Sequence, residues 1–161
     1  MSTLELELVA APRPGMRNPL RTEPRRPLWT VALLSEPCAL VAEDDPDCLL
    51  GLKLMLKDAG YHVIVAADGH AAFKSYLRAE RVDLLIVDLM LPVMDGLALI
   101  HDVKLIDPGL PVLATTGAAD ARRKLNAARH LGAVGLLPKP FGRAEFLAAV
   151  KAASESGPPR A

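Results

Sequence analysis

The stretch that decides the fold is Leu84-Leu85-Ile86-Val87-Asp88-Leu89-Met90-Leu91-Pro92-Val93-Met94-Asp95-Gly96. Leu84 to Val87 is an unbroken apolar run that stops at one carboxylate, Asp88. A strand with a solvated face alternates polar and apolar residues, so an unbroken run predicts a strand covered on both sides. Upstream, Ala39 to Ala42 is a second such run, ending in Glu43-Asp44-Asp45. Asp45-Pro46 then reads as an N-cap followed by proline at the first helical position. Leu49, Leu52 and Leu56 place one apolar stripe along the helix that follows, and Gly60 supplies the left-handed residue that ends it. His62 to Ala66 is a strand, and Asp68-Gly69 opens a helix running to about Glu80. Downstream, after the loop Leu89 to Gly96, a helix reaches Ile106 and Asp107-Pro108-Gly109 turns the chain. Val112 to Thr115 is the fourth strand and Leu136-Leu137 the brief fifth, and the last helix carries Phe146, Val150 and Ala153 on one face. Five strands separated by helices predict an α/β domain with a doubly wound parallel sheet. The runs leave the strand order open.

The totals agree with one such domain. The chain has 161 residues, of which 51% are apolar but only 4% aromatic, so Leu, Val and Ala must fill the core. Lys plus Arg equals Asp plus Glu, which disfavours a globally basic nucleic-acid binder. Cys38 and Cys48 match no zinc spacing and no disulfide framework, and read as buried reduced thiols. The run Leu28 to Leu34 falls far short of the ~20 residues that span a bilayer, and the start Met1-Ser2-Thr3-Leu4-Glu5 is acidic, unlike a secretory signal. These features predict a cytoplasmic protein.

Composition changes near Pro37. Pro12, Pro14, Pro19, Pro24 and Pro27 interrupt any regular element before it, and Arg13, Arg17, Arg21, Arg25 and Arg26 share the stretch. Residues 1–36 therefore read as a disordered extension, 37–155 as the folded domain and 156–161 as a short tail. A polybasic arm and initiation at Met16 are the other readings of the extension.

In open α/β sheets, sites form beyond the carboxyl ends of the strands. Those ends carry Glu43 and Asp44 on the first strand, Asp88 on the third and Thr116 on the fourth, while the fifth runs into Lys139. Singly, each has a bland reading as a helix cap, a turn or an exposed charge. Jointly, they gather three carboxylates, a hydroxyl and an ammonium at one edge. Clustered carboxylates repel unless a cation sits between them, and hard oxygen ligands with room for water and phosphate oxygens suit Mg²⁺.

Four motifs, Leu40-Val41-Ala42-Glu43-Asp44-Asp45-Pro46, the decisive stretch itself, Leu113-Ala114-Thr115-Thr116-Gly117 and Leu137-Pro138-Lys139-Pro140-Phe141, resemble those of the receiver domains of bacterial two-component signalling. The resemblance covers about residues 38–154, with each motif in the family's order. It implies a flavodoxin-like sheet of order 2-1-3-4-5. It also implies Asp88 as phosphoacceptor, with Glu43, Asp44, Asp88 and the Met90 backbone carbonyl holding Mg²⁺. Thr116 and Lys139 would bind the phosphoryl group beside a small Gly117, and the Lys139-Pro140 bond would be cis. The implied partners are a histidine kinase or histidine phosphotransferase and a downstream protein target, with no direct nucleic-acid or membrane contact. The implied role is that of a self-modifying phosphoacceptor, not of an enzyme. With only Ser156 to Ala161 after the last helix, output is expected through another protein, at the face of the fourth helix, fifth strand and fifth helix. Arg122, Arg123, Lys124 and Arg129 lie there.

Three departures from the family pattern stand out. Leu136 occupies the position where receivers often carry an aromatic switch residue, which puts that version of the switch in doubt. Pro138 stands in the fifth strand, a placement that requires a sheet edge. Met90 and Ala118 offer no carboxylate or amide to position an attacking water, so self-hydrolysis should be slow. Two competing readings remain. An Asp-nucleophile phosphohydrolase would carry a second Asp where Met90 stands. A pseudo-receiver would bind partners without phosphorylation, and the complete acidic, Thr and Lys set argues against it.

Overall fold

Five strands and five helices alternate through the computed structural model, which describes residues 36–117 and 121–158. Residues 1–35 of the expected extension, Ala118 and the last residues of the expected tail lie outside the described residues. The elements are β1 (Cys38–Ala42), α1 (Pro46–Asp58), β2 (His62–Ala66), α2 (Gly69–Arg78), β3 (Leu84–Asp88), α3 (Gly96–Ile106), β4 (Val112–Thr116), α4 (Ala121–His130), β5 (Gly135–Pro138) and α5 (Arg143–Glu155). All neighbouring strands are parallel, in the order β2-β1-β3-β4-β5, as the motif resemblance implied.

Strand β3 is buried along its whole length, as its unbroken apolar run predicts. Alternation along the strands then divides the core into two layers. Leu40, Leu85, Val87, Val112 and Ala114 face Ala72, Leu99, Ile100, Val103, Leu125 and Ala128 of α2, α3 and α4. Ala39, Val41, Leu84, Ile86, Leu113 and Leu137 face Leu52 and Leu56 of α1 and Phe146, Val150 and Ala153 of α5. The expected stripe of α5 is therefore core, whereas Leu49 of the α1 stripe is only partly buried.

Element ends follow local chemistry. Asp45, Asp68 and Asp95 cap α1, α2 and α3, their carboxylates accepting the amides of Cys48, Ala71 and Ala98 at 2.7, 2.7 and 2.9 Å. Gly60 has φ +86° at the end of α1, where the Tyr61 amide reaches back to the Leu56 carbonyl at 3.0 Å. Helix α2 ends at Arg78, earlier than its periodicity suggests, because Ala79 is already extended. Strand β5 includes Gly135 and Pro138 beyond the expected pair, and its edge position leaves the missing Pro138 donor without consequence for the ladder. The Lys139-Pro140 bond is cis.

Candidate functional site

At the carboxyl edge of the sheet, alternation decides which side chains meet. Asp88 follows Ile86 by two residues, so its carboxylate leaves β3 on the α1 and α5 side. Glu43 follows Val41 in the same way and emerges from β1 on that side. Asp88 is 5% and Glu43 1% exposed, while Asp44 is exposed at the rim. One carboxylate oxygen from each of the three lies within 4.8 Å of the other two.

Lys139 stands between two of these groups. Its Nζ donates to Asp88 Oδ2 at 2.5 Å and to Glu43 Oε2 at 2.6 Å. Burial alone works against the lysine charge. The hydrogen bonds to Asp88 and Glu43 outweigh it and hold the Lys139 pKa above the ordinary lysine range. The ammonium offsets the repulsion that buried Glu43 and Asp88 would otherwise suffer. The other oxygen of Asp88 is held from the loop side, where the Met90 amide donates to Oδ1 at 2.7 Å. That loop is clamped from below by close approach. A methyl group on Gly96 would lie 2.3 Å from the Asp88 carbonyl oxygen and 2.6 Å from Leu89 Cα. Glycine there lets α3 begin directly against the end of β3.

The remaining expected site residues take distinct places. Thr116 is fully buried at the end of β4, on the side of Val112 and Ala114, facing α2 to α4. Gly117 follows it, and its smallness makes room for something unforeseen. A methyl group at Gly117 would lie 3.4 Å from Lys139 Cβ and 3.7 Å from Cδ, so the lysine stem passes just beyond the end of β4 at this point. Leu136 is partly buried and packs on the α2 to α4 layer, in register with Ala114. Met90 is 48% exposed, and its sulfur touches the Lys124 ammonium of α4. A cavity of about 470 Å³ beside the carboxylates is lined by Asp44, Met90, Pro92, Asp95 and Lys124. A second hollow, of about 520 Å³, is lined by residues such as Tyr76, Arg81 and Ile106 near the start of β3, and contains no carboxylate of the site.

Three residues escaped the motif reading. Cys48 sits in the first turn of α1 and directs its thiol at Glu43 Oε2, 3.4 Å away. Burial, with Glu43 beside it, pushes that thiol up to about 11, so it stays a neutral donor. In the sequence Lys124 stands only in a basic face, and Thr115 only at the end of a strand, since its pairing with Asp88 follows from ladder register.

The family model described as the response regulator receiver domain matches residues 39–151. The chain is similar to the transcriptional regulatory protein PrrA of Mycobacterium tuberculosis, with 33% identity over 119 residues, 74% of this chain and 50% of that protein. A response regulator receiver protein of Anaeromyxobacter is 37% identical over 101 residues, 63% of this chain and 42% of that protein. The chain thus spans about half the length of the curated relatives it matches. Among solved structures, the non-phosphorylated HemR receiver domain of Leptospira biflexa superposes with a TM-score of 0.69 at 32% identity, covering 78% of this chain and all of that one. The chemotaxis response regulator CheY4 of Vibrio cholerae gives 0.68 at 29% identity, over 74% of this chain and 99% of that one. Sheet order, motif order and family match agree, and the chain belongs to the response regulator receiver domains of two-component signalling.

Proposed function

We propose that this receiver accepts a phosphoryl group on Asp88 from the phosphohistidine of a histidine kinase or histidine phosphotransferase, and that the acyl phosphate signals to a partner protein. The observation that carries the reading is the buried Asp88 carboxylate, held at Oδ1 by the Met90 amide and at Oδ2 by Lys139, with Glu43 and Asp44 beside it. A carboxylate so held is a nucleophile with a fixed line of attack. In the transfer an Asp88 oxygen forms the bond to phosphorus as the bond from phosphorus to the histidine nitrogen breaks. Lys139 then follows the negative charge from the carboxylate to the phosphoryl oxygens, and Thr116, which faces α2 to α4 at rest, swings its hydroxyl round to donate to them. The donor set of Glu43, Asp44, Asp88 and the Met90 carbonyl is all hard oxygen, which fits Mg²⁺. When bound, that ion supplies further offset of charge on the transferring group.

Asp88 is modified and not regenerated in the same step, so the chain acts as a phosphoacceptor rather than an enzyme on a separate substrate. Met90 presents a thioether where an attacking water would need a carboxylate or amide, which supports a long-lived acyl phosphate. Signalling is assigned to the face of α4, β5 and α5, because Thr116 and Lys139 lie at the site ends of the segments leading into it. Without an aromatic at Leu136, that face responds through the Thr116 and Lys139 ends alone.

Incubation with acetyl phosphate and Mg²⁺ tests the reading. One phosphoryl group should add to the chain, at Asp88, and be lost with hydroxylamine. Asp88→Asn should take none, and EDTA should prevent labelling of the unaltered chain. Undiminished labelling of Asp88→Asn sinks the assignment. An unlabelled but partner-binding chain would favour the phosphorylation-independent module.

A further inference from the structure

Strand order forces an unusual path on Lys139. It belongs to the segment after β5, yet its ammonium reaches Asp88 on β3 and Glu43 beyond β1, with β4 lying between. The side chain must pass β4, and it does so just beyond the strand's last residue, against Gly117, on the way to Asp88 and Glu43. The residue on the same side of the chain as Gly117 is Thr115, two positions back. Thr115 is also the β4 residue in register with Asp88. Its side chain therefore shares a sheet face with the lysine stem and neighbours the carboxylate the lysine holds.

Thr115 is 1% exposed, and its Oγ1 is the one buried side-chain polar atom without a hydrogen-bond partner among the described residues. An unsatisfied buried hydroxyl is costly, and valine would fill the same space without that cost. The hydroxyl is thus poorly suited to the state in which Lys139 is drawn onto Asp88 and Glu43. It is well suited to a state in which the lysine has moved.

We propose that Thr115 is a positioning residue for Lys139 during phosphoryl transfer, its hydroxyl accepting a hydrogen bond from the ammonium once Asp88 no longer holds it. This rests on the reading of Asp88 as phosphoacceptor. The ammonium has three donors, and two are committed to Glu43 and Asp88. When an Asp88 oxygen becomes the bridging oxygen of the acyl phosphate, its charge passes to the phosphoryl oxygens and its hold on the lysine weakens. Thr115 Oγ1 then takes the released donor. The lysine is kept at the end of β4, facing the phosphoryl group, instead of collapsing onto Glu43.

Thr115→Val and Thr115→Ser separate this role from packing. Initial labelling rates with acetyl phosphate and Mg²⁺ are read alongside the thermal midpoint of the unphosphorylated protein. The valine variant should label about three- to tenfold more slowly, the size of one net hydrogen bond, with its midpoint unchanged or raised. The serine variant, which keeps the hydroxyl, should recover most of the rate. Labelling of the valine variant at the original rate overturns the proposal while leaving Asp88 as phosphoacceptor. A slower rate accompanied by a lower midpoint and no recovery with serine also overturns it, since the hydroxyl would then belong to the resting core. Failure of the unaltered chain to label overturns both readings.

Discussion

Single residues here carry costs that the surrounding fold tolerates. Val93, 86% exposed in the loop after β3, adopts φ +66° while the Met94 amide donates to the Pro92 carbonyl at 2.7 Å across it. A β-branched residue in this region is strained, and its side chain gains almost no burial in return. Val93→Gly should therefore raise stability by about 1 kcal/mol in denaturant unfolding, the relieved strain exceeding the added chain entropy. Cys38 carries a cost of another kind. Burial, with Asp83 nearby, pushes its thiol from 9.0 up to about 11. Between those values the unfolded chain has lost a proton that the folded chain keeps, so stability falls as pH rises through this window. The loss amounts to roughly 2–3 kcal/mol at most. Urea midpoints at pH 8 and pH 10.5 should differ less in Cys38→Ala than in the unaltered chain. Lys139, also raised, adds loss of the same sign above the ordinary lysine pKa.

At the scale of elements, caps and close approaches decide where α1, α2 and α3 start, and only some of these starts bear on the chemistry. Asp68 caps α2 through the Ala71 amide and is not one of the three clustered carboxylates. Asp68→Ala should cost about 1 kcal/mol in stability and leave phosphoryl labelling unchanged. Gly96 starts α3 against the backbone of Asp88 and Leu89. Gly96→Ala forces a methyl group into that backbone, an overpacking worth about 1–3 kcal/mol. It should also slow labelling, because the displaced backbone carries both Asp88 and the Met90 amide. The two variants together distinguish a helix start that merely folds the chain from one that shapes the site. In the sequence Gly96 reads only as the last residue of the loop before the helix that reaches Ile106. That it bears directly on the Asp88 carbonyl is not legible there, because the contact follows from how α3 packs against the end of β3.

For the molecule as a whole, three carboxylates gather at one sheet edge. Mg²⁺ held by the folded chain and not by the unfolded one should stabilise it by about 2.7 kcal/mol at a hundredfold excess over Kd, read as a raised thermal midpoint. EDTA should reverse the rise, and Asp44→Asn should remove most of it. A midpoint indifferent to Mg²⁺ would show that Lys139 alone suffices as the cation. Among the described residues, no helix is long and apolar enough to cross a membrane. The sequence by itself determined the fold class, because an apolar run as unbroken as Leu84 to Val87 is stable only between two layers. It also marked the carboxylates and the lysine that the structure brings together, because strand ends mark sheet edges and Glu43, Asp44, Asp88 and Lys139 fall at such ends. The tertiary structure alone decided how these residues divide between the two sides of the sheet. Parity within a strand is readable, but the alignment of one strand's parity with another's is set by ladder register. That register puts Thr115 beside Asp88 and Thr116 on the opposite side. Strand order likewise sends the Lys139 stem past the end of β4, against Gly117. Linear spacing holds neither fact, because both arise from hydrogen bonds between strands distant along the chain.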